Sequence, residues 1–137
     1  MKKIVLFFAF FLTFLFACTK PEKCETNNTG SVKVTNNTGF NIAVDVTWGS
    51  STYNDERTIY NGNYTTYSNV PAGYVEVWGS FDAVDWYVDD LYVSSCETST
   101  FTWSKKKSTL EKSVSELVMI NQNGDTLNVK YKQKINK

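Results

Sequence analysis

Histidine is absent from all 137 residues. Its absence removes every mechanism that needs imidazole, including Ser-His-Asp and Cys-His nucleophile activation and His-based zinc sites. Cysteine is scarce, at 3, and no Cys-x-x-Cys occurs, so thiol redox catalysis has no motif to rest on. No EF-hand spacing of acids is present, and the sequence points to no metal or other cofactor. Proline is rarer still, at 2, while aromatics reach 15%. That composition carries too much core-forming material for a disordered chain. The length suits one domain, and the formal charge is 0.

What is present begins at the amino terminus. Lys2 and Lys3 form a short positive region, and Ile4 to Phe16 then reads IVLFFAFFLTFLF, apolar except for Thr13. Such a run fits the apolar region of an export signal, about 7–15 residues, and falls short of the roughly 20 needed to span a bilayer. At its end stands Leu15-Phe16-Ala17-Cys18, which resembles the bacterial lipobox: Leu three places before the cysteine, a small residue just before it, then the cysteine that is acylated. The resemblance implies that residues 1–17 are a removable signal. Cys18 would be the lipid-bearing first residue of the mature chain, and the protein would sit in the bacterial cell envelope, at the outer membrane. Several acyl chains on one cysteine give stable anchoring where a single chain does not. Losing Lys2 and Lys3 takes the formal charge from 0 to −2.

With Cys18 lipidated, Cys24 and Cys96 remain in an oxidising compartment, and a disulfide between them is expected. It would close a loop of about 70 residues and stabilise the fold by about 4 kcal/mol. Two separate buried thiols are the alternative. Residues 18–29 read as a short polar tether, which would hold the domain close to the membrane.

Residues 30–104 carry the fold. Period-two alternation dominates: Val32 and Val34, then Phe40, Ile42, Val44, Val46 and Trp48, each alternating with polar residues. Asn61-Gly62 reads as a hairpin turn between Arg57–Tyr60 and Tyr64–Ser68. Tyr74–Phe81, Val84–Val93 and Ser99–Trp103 complete a set of about seven short strands. The fold class is all-β, a single small antiparallel β-sandwich. Val-Pro-Ala-Gly-Tyr-Val-Glu-Val-Trp, residues 70–78, resembles the turn and strand of transthyretin-like and immunoglobulin-like sandwiches. That likeness favours a sandwich over a barrel and implies no particular activity.

Alternation places Val75, Val77 and Phe81 on the core side of one strand and Val84, Trp86 and Val88 on the core side of the next. The opposite faces would join into one patch of Tyr74, Glu76, Trp78, Asp85, Tyr87 and Asp89. Rings beside carboxylates suit a sugar, so this patch is the candidate ligand face. The plainer reading is that aromatics favour strands and that the C-terminal segment covers them. Asp89-Asp90 marks a bulge or a solvated edge.

Residues 105–137 shift in charge, to +5 against −7 for residues 18–104. They form a basic extension with a hairpin signal: Leu117–Ile120, a turn at Asn121–Asp125, and the alternating run Thr126–Lys132. Docking of this hairpin on the acidic face, Leu127, Val129 and Tyr131 against Trp78 and Tyr87, is preferred over contact with anionic lipid. Asp125-Thr126-Leu127 resembles the O-glycosylation acceptor pattern of Bacteroidetes-type bacteria, which makes Thr126 a candidate modification site. No nucleophile–base pair stands out, so the expectation is a non-enzymatic envelope protein of interaction or structural type. The alternative is a small carbohydrate-binding lipoprotein. Its partners would be the membrane, through the lipid on Cys18, and an envelope protein or glycan; the acidic body disfavours nucleic acid.

Overall fold

The computed structural model describes residues 22–49, 51–52, 56–82, 84–106 and 117–133. The expected export signal, residues 1–17, and Cys18 lie outside the described residues. Among the described residues, no helix is long and apolar enough to cross a membrane.

Among the described residues a short helix α1 (Lys23–Asn27) precedes eleven strands: β1 (Thr29–Asn37), β2 (Ile42–Trp48), β3 (Ser51–Thr52), β4 (Arg57–Ile59), β5 (Tyr64–Pro71), β6 (Gly73–Phe81), β7 (Val84–Val93), β8 (Thr98–Lys105), β9 (Leu117–Asn121), β10 (Thr126–Leu127) and β11 (Lys130–Gln133). They form two sheets. One runs β10-β9-β8-β1-β5; the other runs β11-β7-β6-β2-β3, with β4 also on β2. Their inner faces share one apolar core, in which Val32, Val34, Val46, Val77, Trp103 and Met119 are fully buried. Tyr67, on β5, reaches across that core to donate its hydroxyl to the Val44 carbonyl of the other sheet at 2.6 Å. The all-β sandwich expected from alternation is therefore the fold.

One pairing departs from an antiparallel sandwich: β1 and β8 are parallel. Both leave the same end of the molecule in the same direction. There Cys24, in α1, is disulfide-bonded to Cys96, in the turn before β8, with Cα atoms 5.1 Å apart. Backbone bonds reinforce the clamp, Cys96 N–H to the Thr29 carbonyl at 2.9 Å and Ser31 N–H to Glu97 at 2.8 Å. Gly30 is required in this crowding, because a Cβ there would lie 2.2 Å from the Ser94 carbonyl oxygen.

The stretches flanking Asn61-Gly62 are not a hairpin. β4 pairs with β2 in one sheet and β5 with β1 in the other, so the turn carries the chain across the sandwich. Polar side chains hold it instead of a cross-strand ladder. Asn36, fully buried, donates its amide to the carbonyls of Phe40 (2.7 Å) and Ile59 (2.8 Å). Its carbonyl oxygen accepts from the Thr38 hydroxyl at 2.7 Å and the Thr38 N–H at 3.0 Å. Its own backbone carbonyl accepts from Gly62 N–H at 2.7 Å. Every donor and acceptor of the side chain is matched, which is what makes burial of an amide tolerable.

The tether region is not wholly extended. Lys23–Asn27 is helical, with Glu22 N–H donating to the Glu25 carboxylate at 3.2 Å and Asn28 closing the helix in the left-handed region.

Candidate functional site

Alternation along β6 and β7 puts the six residues of the candidate face on the outer surface of one sheet. Cross-strand register aligns Trp78 with Tyr87 and Tyr74 with Tyr92, and β2 adds Asp45 opposite Trp78 and Thr47 opposite Glu76. The rings of Trp78 and Tyr87 stack, with centroids 4.4 Å apart and planes 19° from parallel. The Trp78 indole N–H lies 3.0 Å from a Glu76 carboxylate oxygen and 3.3 Å from the Thr47 hydroxyl. That hydroxyl in turn donates to Glu76 at 3.3 Å.

Asp89-Asp90 is the bulge. Val75 pairs with Leu91 and Val77 with Val88, so Glu76 faces two residues. Asp90 takes the extra position at φ +59, a left-handed conformation that Asp tolerates better than most residues. The extra residue resets the alternation: Trp86 and Val88 point inward before it, Leu91 and Val93 after it. Beside the bulge a shallow depression of about 220 Å³ is lined by Trp48, Tyr74, Glu76, Asp89 and Asp90, among others.

Two core assignments fail. Phe81 and Val84 are 46% and 41% exposed. They pair at the tip of the β6–β7 hairpin, beyond the reach of the opposing sheet, and Phe81 packs on Phe40 at 4.3 Å instead.

The basic segment docks, but edge-on. The run Thr126–Lys132 splits at Asn128-Val129: β10 pairs with β9 in one sheet, and β11 crosses to extend the other beside β7. Leu127 and Val129 pack against the core. Tyr131 aligns with Trp86 across the ladder and accepts the Leu117 N–H on its hydroxyl at 3.2 Å. The residues over the aromatic stack are therefore lysines. Lys130 sits 5.8 Å from the Tyr87 ring and Lys132 5.6 Å from the Trp78 ring. Lys130 also forms an ion pair with Asp89. The hydrogen bond from Lys130 holds the Asp89 carboxyl below its ordinary value, and Asp89 raises Lys130 in return.

The cause is period-two geometry. A strand added at the edge of a sheet sends alternate side chains to each face, and Lys130 and Lys132 fall on the outer one. Lysine spacing of two was the available signal, but no pattern in the sequence says that this strand leaves one sheet for the other.

The structure thus brings Glu76, Trp78, Asp85, Tyr87 and Asp89 into one neighbourhood and leaves Tyr74 at its margin, paired edge-to-face with Tyr92 at 5.4 Å. Trp78 has its N–H matched and its ring flanked by Tyr87 and Lys132. Thr126 is exposed at the start of β10, just after the Asn121–Asp125 turn. The one cluster of potential metal donors among the described residues, Glu22, Cys24 and Cys96, has both sulfurs committed to the disulfide. Comparison with protein families, with curated proteins and with solved structures finds no match for this chain.

Proposed function

We propose that this chain is a lipid-anchored protein of the bacterial cell envelope whose β-sandwich serves a non-enzymatic interaction or structural role. The observation that carries the reading is the Cys24–Cys96 disulfide. It fits an oxidising compartment, and it leaves Cys18, at the foot of the apolar leader, as the one cysteine of the 3 still to be assigned. Only five residues lie between Cys18 and the clamp at Cys24, so an acylated Cys18 would hold the sandwich against the membrane rather than on a stalk. The committed state of Trp78 weighs against the alternative of a carbohydrate site centred on that ring, because stacking on a sugar needs a free aromatic face.

Growth with an alkyne analogue of palmitate tests the anchor. The expressed protein should carry the label and fractionate with membranes, and Cys18→Ser should lose both. An unlabelled wild-type product, or a mature amino terminus at another residue, would sink the reading.

A further inference from the structure

Strand polarity sorts the molecule into two ends. β1 begins beside the disulfide and runs nine residues away from it, about 30 Å at roughly 3.3 Å per residue. β6 begins, and β7 ends, at the disulfide end, tied there by the Ala72 N–H to Asn28 carbonyl bond at 2.9 Å. Tyr74 and Tyr92 are Cα partners one rung in from the terminal Gly73–Val93 pair. They are also among the most exposed apolar side chains described, at 69% and 59%. Their rings meet edge-to-face on the outer surface of the sheet, a pre-ordered apolar patch with two hydroxyls.

An acylated Cys18 would restrict where this patch can go. The six residue-to-residue steps from Cys18 to Cys24 reach at most about 20 Å even fully extended. The disulfide end therefore could not leave the headgroup layer by more than that, whereas the opposite end lies a sandwich length beyond. Tyrosine is enriched at membrane–water interfaces because its ring is apolar and its tip is wet.

We propose that Tyr74 and Tyr92 seat the disulfide end of the sandwich on the lipid headgroups of the membrane that holds the Cys18 lipid. The proposal rests on the lipid-anchor reading above. Glu76 and Asp90 line the depression beside Tyr74, and Glu22, Glu25 and Glu97 are exposed near the clamp against the single lysine of its helix, Lys23. These carboxylates select headgroups that carry an ammonium, such as phosphatidylethanolamine, over anionic ones. The seat fixes the orientation of the domain: the strand ends at Tyr74 and Tyr92 lie down, and the Asn36 end points away from the membrane.

The test uses full-length acylated protein in nanodiscs of phosphatidylethanolamine and phosphatidylcholine containing a gadolinium-chelating lipid, read by paramagnetic broadening of amide signals. A tether alone broadens both corners of the disulfide end alike. A tyrosine seat should broaden residues 73–75 and 91–93 several-fold more than Ser68, Asn69 and Thr98 at the other corner. The double variant Tyr74→Ser/Tyr92→Ser should equalise the corners while its acyl mass, disc association and thermal unfolding stay as in wild type. Replacing the zwitterionic lipids with phosphatidylglycerol should also shrink the contrast. Equal broadening in acylated wild type, or a contrast that survives the double substitution, would overturn the seat and leave the anchor standing. A product with no acyl mass on Cys18 would remove the anchor and the seat together.

Discussion

Two aromatic pairs flank β7, one on each face of its sheet, and they are stabilised in opposite ways. Inside, Trp86 of β7 meets Trp103 of the facing sheet edge-to-face, with centroids 6.0 Å apart at 81°. Both are buried, and among the described residues neither indole nitrogen has a hydrogen-bond partner. Outside, Trp78 and Tyr87 stack, with the indole N–H matched and lysines over the rings. An orphaned buried donor costs about 1–3 kcal/mol. The inner pair is kept in spite of that cost because full burial of two indoles contributes more. The outer pair, in contact with water, gains less from burial and relies on matched polar neighbours. Position relative to the facing sheet, not residue type, decides which regime applies.

The sharpest way to break the comparison is to truncate each side. Trp103→Ala should destabilise the domain by about 3–5 kcal/mol, read as a drop in the urea midpoint with an unchanged slope. A loss under 1 kcal/mol would mean that the inner pair is not the keystone described. Next comes Gly79→Ala. A Cβ at Gly79 would lie 2.4 Å from Trp86 Nε1, and the buried indole has no free direction to yield, so about 1–3 kcal/mol is expected; a neutral result would show that Trp86 can repack. Trp78→Ala on the outside should cost about 1 kcal/mol. It should leave any glycan-array profile unchanged, and binding that vanished in this variant would restore the carbohydrate reading.

The smallest effect concerns the ion pair that holds β11. Lys130 and Asp89 are 45% and 29% exposed, so water screens them. Because the folded-state value of Asp89 is lowered, the pair's contribution is full above about pH 4 and fades as pH falls through that lowered value. Because Lys130 is raised, the contribution persists below about pH 10 and fades as pH rises through the raised value. Amide shifts of Val129–Lys132 should therefore show an acidic inflection that Asp89→Asn abolishes. The same inflection in the variant would separate β11 from this pair.

Much of the fold was legible because strands exposed on one side must alternate. Val32, Val34, Ile42, Val44, Val46, Val75, Val77, Trp86 and Val88 are all buried as the period-two pattern requires, and of the two readings of Asp89-Asp90, a bulge or a solvated edge, the structure shows the bulge. Alternation says which face a residue takes, but it is silent on where a strand stops being covered. Hence Phe81 and Val84, in register with the core, emerge at a hairpin tip. It is equally silent on partners. Asn61-Gly62 has the chemistry of a hairpin turn, yet it joins two sheets, since the buried Asn36 amide, remote in sequence, fixes its path.

The sequence by itself determined which face most strand residues take, because that follows from local periodicity; the Cys24–Cys96 pairing was expected only on the lipobox resemblance, with separate thiols as the alternative, and Asp89-Asp90 was left as a bulge or a solvated edge. Only the tertiary structure decided that β1 and β8 run parallel, that the basic segment is divided between both sheets, and that its lysines cover the aromatic stack. Those outcomes depend on which distant strands have unsatisfied backbone edges to share, and no local pattern encodes that.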